Sequence, residues 1–237
     1  MCADHACYPH RVIAGMKRMY EEGMHTDFIL AIGDKEWKLH KTVLLMHSDV
    51  LYKMSSSEAF VESKNGRAEL KDVHPQQIDS LVEFLYTGDY KFPGRPESAR
   101  SRQESVPTAV SELKFHISMM ALADMYNIPT LNEIAFETVL FNIDARNMVT
   151  AARALYEDPD TPARLRHAIS CTIGTYMSDL CGPEFDALLE DMPRLAIEVV
   201  KLQSKGRVMQ HIREGGPEPW INDSIVPGVR GPSRSGA

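Results

Sequence analysis

Four side chains near the start have the chemistry of metal ligands. Cys2, His5, Cys7 and His10 place two thiols and two imidazoles within nine residues, as Cys-x-x-His-x-Cys-x-x-His. Thiolates and imidazoles are the groups that hold zinc. Here they stand much closer together than in a zinc finger, and so short a chain folds poorly around a tetrahedron. The expectation is a disordered start with incidental metal affinity and no dedicated metal site. Two other spots suit phosphate. Arg95-x-x-Ser98 and Arg102-x-x-Ser105 set a basic residue three positions before a serine, the spacing a basophilic kinase reads. Phosphorylation of Ser98 or Ser105 would offset the local positive charge. The constellations of covalent chemistry are missing: there is no Gly-x-Ser-x-Gly, no Gly-rich phosphate loop, no His-Glu-x-x-His and no dinucleotide fingerprint. The chain is therefore expected not to be an enzyme and to need no cofactor.

The composition fits that expectation. With 43% hydrophobic and 25% charged residues in 237, the chain can build an ordinary globular core. A net charge of -7 argues against direct binding to nucleic acid or to an anionic membrane. No apolar run is long enough to span a bilayer, and residues 1–11 show no secretory h-region. Four cysteines are too few for a disulfide scaffold, so reduced thiols inside the cell, in cytoplasm or nucleus, are expected. The 13 methionines fall mainly on helical core faces, where packing is their ordinary use.

The hydrophobic pattern predicts the elements that hold these residues. Val12, Ile13, Met16, Met19 and Tyr20 form the stripe of a helix over 9–23. Residues 28–32 are apolar throughout, as in a strand buried on both faces. A turn at 33–35 then leads to a strand in which Trp37 and Leu39 alternate with charge. From Thr42 one helix carries Leu44, Met46, His47, Leu51 and Met54 on a face. A polar stretch over 62–66 leads to a short strand at Ala68 and Leu70. Pro75 opens a helix with Ile78, Leu81, Val82 and Leu85 inside, and Gly88 closes it. Residues 91–110, with Pro93, Gly94, Pro96 and Pro107, read as an exposed loop. Helix resumes over 111–127, Pro129 stops it, and Thr130 with Glu133 suits a capping box for the next. Beyond that, caps are expected at Asp144 and at Thr161-Pro162, with helices around 185–189 and 193–203 and a stop at Gly206. The predicted organisation is a flexible tail (1–8), a domain over 9–141, a helical extension over 142–206 and a mostly disordered Gly- and Pro-rich tail over 207–237. The fold class is α+β with helix dominant.

Several blocks in this order resemble a known family. They are Asp27-Phe28-Ile29-Leu30, Trp37-Lys38-Leu39-His40-Lys41, Leu44-Leu45 with Ser48, and Phe60-Val61-Glu62-Ser63. Asp72-Val73-His74-Pro75, 84–90 and 122–131 complete the set. Together they are similar to a BTB/POZ domain over roughly 26–141, closest in pattern to fungal BTB proteins that carry a helical region after the domain. The resemblance implies a small sheet flanked by helical hairpins, used for dimerisation and partner binding, without catalysis. It implies that Asp27 and Lys41 form a charged pair near a dimer interface to which Val12, Met16, Met19 and Tyr20 contribute. Lys41 stands where the family often has Arg, which gives up the bidentate fork. His40, Tyr86 and Gly88 would be structural, with His40 satisfying backbone groups at a helix start. Phe60 and Glu62 fit a hydrophobic-x-Glu pattern by which some BTB domains grip a cullin scaffold.

Three functional readings follow: a homodimerising scaffold or adaptor, a substrate adaptor of a cullin-based ubiquitin ligase, and a transcriptional co-regulator recruited by partners. The second lacks a recognisable substrate domain, since no kelch-type or ankyrin repeat is evident. The third lacks a DNA-binding motif.

Overall fold

The computed structural model describes residues 7–57, 61–94, 106–144, 147–177, 180 and 182–213. The chain divides into two compact units, 1–169 and 170–237. The first holds a three-stranded sheet. β1 (Phe28–Ile32) pairs antiparallel with β2 (Lys35–Leu39), in a register that sets Leu30 opposite Trp37. Gly33 turns the hairpin at a φ of 55°, a left-handed conformation that suits glycine. β3 (Arg67–Glu69) adds to the other side of β1 in parallel, Ala68 facing Leu30, so the strand order is β2-β1-β3. β1 is central, which explains its unbroken apolar run. β2 lies at an edge and alternates, with Trp37 and Leu39 inside and Lys35, Glu36 and Lys38 in water.

The helix ahead of the sheet, α1, spans Cys7–Glu21, so it starts two residues before the predicted 9. The single helix expected after Thr42 is instead two, α2 (Lys41–His47) and α3 (Asp49–Ser56). Ser48 divides them. Its backbone is extended (φ −151°), and its hydroxyl accepts from the Leu51 N–H at 3.0 Å while donating to the Tyr126 carbonyl at 2.5 Å. Met46 does not share the buried face of Leu44 and Leu51: two positions past Leu44 in α2, it lies on the opposite side of the helix and is exposed. The polar stretch before β3 contains a short helix, α4 (Val61–Asn65), that its composition did not announce.

α5 (Pro75–Thr87) runs as expected from a first-turn proline to Gly88, which caps it in the left-handed region at φ 76°. Its N-cap is His74, in a reciprocal arrangement with Gln77 that resembles the Ser/Thr capping box. α6 (Val106–Met125) begins five residues early, with Pro107 in its first turn, where a missing N–H costs nothing. α7 (Pro129–Phe141) corrects two readings. Pro129 starts this helix instead of merely stopping the last, and Glu133 does not cap it; Glu133 instead takes a two-pronged bond from Arg164, 2.8 Å on each prong. Asp144 does not cap α8 (Met148–Leu155) directly, but exchanges backbone and side-chain bonds with Asn147, which sits at its N-cap. Nor does Thr161 cap α9 (Ala163–Tyr176): its buried hydroxyl has no hydrogen-bond partner among the described residues. Phe28, Leu30, Leu39, Leu44, Ile78, Leu81 and Phe84 form the core beneath the sheet, and α6 packs against α5, α7 and α8.

In the second unit, the end of α9 is followed by α10 (Pro183–Asp191) and α11 (Pro193–Arg213). Phe185, Leu188, Leu195 and Val199 are buried, and the Gln203 amide donates to the Gly174 carbonyl. α11 continues through Gly206, where a stop was expected. A glycine inside a helix costs only about 1 kcal/mol relative to alanine, too little alone to end one. Among the described residues, no helix is long and apolar enough to cross a membrane.

Candidate interaction site

The corner where α1 meets the first strands is held by one polar network. The His40 ring lies between two elements, its Nδ1 2.6 Å from the Tyr86 hydroxyl on α5 and its Nε2 2.6 Å from the Met24 carbonyl after α1. A carbonyl only accepts, so Nε2 carries a proton, and in the neutral tautomer this selects, Nδ1 is the acceptor. The Tyr86 hydroxyl therefore donates to Nδ1, and it accepts in turn from the His40 backbone N–H at 3.1 Å. Each polar atom of the triad has a partner. Burial pushes the Tyr86 phenol far above its usual pKa, keeping it a neutral donor. Tyr20 of α1 stacks on the Tyr86 ring, centroids 4.8 Å apart. His40 thus satisfies a carbonyl across the corner, not the start of α2 as expected, where its side chain makes no cap.

Asp27 takes that capping place. Its carboxylate accepts from the Lys41 backbone N–H at 2.8 Å, at the first turn of α2, where the helix dipole favours negative charge. Within one chain, no ion pair joins Asp27 to the Lys41 ammonium among the described residues. The attraction runs to the backbone because Lys41 is the first residue of the helix and its N–H points out of it.

The proposed interface residues divide along α1. Met16, Met19 and Tyr20 are half-buried, whereas Val12 and Ile13 are 44% and 40% exposed. Leu45 and Met46 of α2 and Val50 of α3 are exposed too, which the sequence pattern did not single out. Glu62 lies half-buried in the first turn of α4. Phe60, Ser98, Ser105, Cys2 and His5 lie outside the described residues. Cys7 opens α1, and His10 is exposed on it.

A second buried network was missed by sequence reasoning. Tyr90 bonds its hydroxyl to His116 Nδ1 at 2.8 Å, and Glu112, one turn back on α6, lies 3.6 Å from His116 Nε2, which makes no hydrogen bond among the described residues. All three residues are buried. The four-residue spacing of Glu112 and His116 was the available signal.

This chain's exposed apolar helical residues, around a closed mixed core, have the character of a protein-interaction domain. The BTB/POZ domain family matches residues 16–140, more than half of the chain, and the chain belongs to that family. Similar proteins include BTB and MATH domain-containing protein 42 of Caenorhabditis elegans, 26% identical over 67% of this chain and 34% of that protein. A BTB/POZ domain-containing protein of Arabidopsis thaliana is 23% identical over 84% of this chain and 89% of its own length. Kelch-like protein 17 of Mus musculus is 35% identical over 34% of this chain and 12% of its own. The chain thus spans about a third of the worm relative and a small part of the kelch-like one.

Proposed function

We propose that the protein is a non-catalytic, intracellular interaction module that pairs with a second copy of itself and offers its other helical surfaces to protein partners. Five apolar side chains carry this reading. Val12, Ile13, Leu45, Met46 and Val50, on helices that flank the sheet and α5, stand between 39% and 61% exposed although the domain's own core is closed. Apolar surface left in water is favourable to bury against a matching copy. The half-buried Met16, Met19 and Tyr20, with Asp27 and Lys41, would edge that interface. In sedimentation velocity at tens of micromolar, the full chain is expected to run as a dimer and the Val12→Glu, Met46→Glu variant as a folded monomer. A monomeric wild type would sink the reading.

A second reading, a cullin-linked ubiquitin-ligase adaptor, is favoured by the kelch-like relatives and by the Phe60-Val61-Glu62 pattern. It requires an immobilised cullin N-terminal domain to capture the wild type and to lose the Phe60→Ala, Glu62→Ala variant. Recruitment as a transcriptional co-regulator, the division into a domain over 9–141 and an extension over 142–206, and the likeness to fungal BTB proteins remain parts of the proposal. The plant relative, similar over most of both chains, supports the extension as a regular companion of the domain.

A further inference from the structure

Of the chain's asparagines, only Asn65 is followed by a glycine. In such a pair the glycine nitrogen can attack the asparagine's side-chain amide, because no Cβ stands beside that nitrogen to block the approach. Three features of the fold leave this pair open to the reaction. Asn65 is exposed, and its side chain makes no hydrogen bond among the described residues. Gly66 holds a left-handed φ of 63°, and a Cβ there would have no neighbour within 4 Å, so its surroundings are empty. Asn65 also closes α4, a helix of five residues. So short a helix is marginal by itself, and its last residue frays readily into the backbone angles the attack needs.

The other described asparagines lack that combination. Asn132 donates from its amide to the Asp124 carboxylate at 2.8 Å and to the Met120 carbonyl at 3.3 Å. Asn147 donates to the Asn142 carbonyl at 2.8 Å and accepts from the Asp144 N–H at 2.9 Å. Asn127 is exposed, but the next nitrogen belongs to Ile128, whose branched side chain shields it and whose N–H is bonded to the Ala123 carbonyl at 2.8 Å. Asn142 is likewise followed by an isoleucine.

We propose that Asn65 is a site of spontaneous deamidation, and that its isoaspartyl product loosens β3 from β1. The Gly66 nitrogen gives up its proton and bonds to the Asn65 side-chain carbonyl carbon. The amide C–N bond then breaks, and ammonia leaves with a proton. Water opens the resulting five-membered imide at either carbonyl, so no oxidant or cofactor enters. One opening restores the main chain with an aspartyl side chain. The other routes the main chain through the former side chain and makes it one carbon longer. That carbon falls directly before Gly66, whose carbonyl accepts the Ile29 N–H at 2.9 Å, and before Arg67–Glu69, the whole of β3. A parallel strand of three residues makes few ladder bonds, and losing the first weakens the edge it forms.

The test keeps the full chain for several weeks at body temperature and mildly alkaline pH, beside a synthetic peptide of residues 63–69. Both are then mapped by mass and retention after cleavage at glutamate. The fragment 63–69, released by cuts after Glu62 and Glu69, should gain two acidic forms, with isoaspartyl in excess, and faster as pH rises. A one-turn helix opens at little cost, so the rate should lie within about tenfold of the free peptide's. Fragments carrying Asn127 and Asn132 should keep their amides. Asn65→Gln, whose longer side chain closes a ring far more slowly, should stay unmodified. In hydrogen exchange, the isoaspartyl fraction should lose protection at the Ile29 amide by about tenfold, while aged Asn65→Gln keeps it. A fragment still amidated once the peptide has converted overturns the site. Conversion that leaves Ile29 exchange unchanged overturns the effect on the sheet.

Discussion

Two histidine–tyrosine pairs are buried in the first unit, and they are satisfied to different degrees. His40 spends both ring nitrogens, on Tyr86 and on Met24, while the Tyr86 hydroxyl also takes a backbone N–H. His116 spends one, on Tyr90, and leaves Nε2 beside Glu112 without a bond. The first pair joins α1, the hairpin and α5, elements far apart in the chain. The second joins Tyr90 to a single helix, α6. A polar network in a core holds its neighbours in place when every member is bonded, and a partly bonded one is worse than apolar packing. The difference implies that the α1 corner is specified by its polar bonds and the Tyr90 corner mainly by its rings. Phe92, Phe115, Tyr90 and His116 pack there with centroids 5.4–6.5 Å apart.

The sharpest way to break this comparison is His40→Ala. It leaves the Met24 carbonyl and the Tyr86 hydroxyl short of partners and opens a cavity, so urea unfolding should show a loss of about 3 kcal/mol or more. Replacing both members of the other pair, Tyr90→Phe with His116→Leu, removes donor and acceptor together and the orphan nitrogen with them. With Glu112 left buried beside the new leucine, that double variant should lose about 1–2 kcal/mol, less than His40→Ala. A loss equal to that of His40→Ala would erase the distinction between the corners. The exposed Arg164–Glu133 pair supplies a solvated reference and the smallest effect. Bonds from Arg164, aided by its charge against slight desolvation, hold the Glu133 carboxyl below its usual pKa. A depressed carboxyl stabilises the fold above its ordinary pKa and stops doing so as pH falls through the lowered value. The stability gap between wild type and Glu133→Gln should therefore be widest near neutral pH and close on the acid side, in unfolding curves taken across pH.

How far these corners were legible in the sequence follows from the range of the forces involved. The hairpin, the α5 stripe and the Gly88 stop were readable because periodicity and a left-handed cap are local. The break at Ser48 was not, since it depends on a bond to Tyr126, which is distant in sequence. Glu133 looked like a capping residue until Arg164 arrived from another helix. The resemblance pointed to Asp27, yet the partner is the backbone of Lys41 and not its charge. Met46 does not belong with Leu44, because two positions on a helix face opposite ways, and the exposure of Leu45, Met46 and Val50 follows from that periodicity.

The sheet's third strand has a kinetic consequence. β3 is three residues long and pairs with β1 in parallel, with β2, α2, α3 and α4 all lying between them in the chain. Parallel strands cannot be joined by a tight turn, so closing this edge means first paying the entropy of a long excursion. The β1–β2 ribbon can zip locally, and the helices that follow must compact before Ala68 can reach Leu30. During synthesis, the sheet would therefore stay two-stranded until the ribosome has released the whole crossover, leaving the β1 edge briefly open to a neighbouring nascent chain.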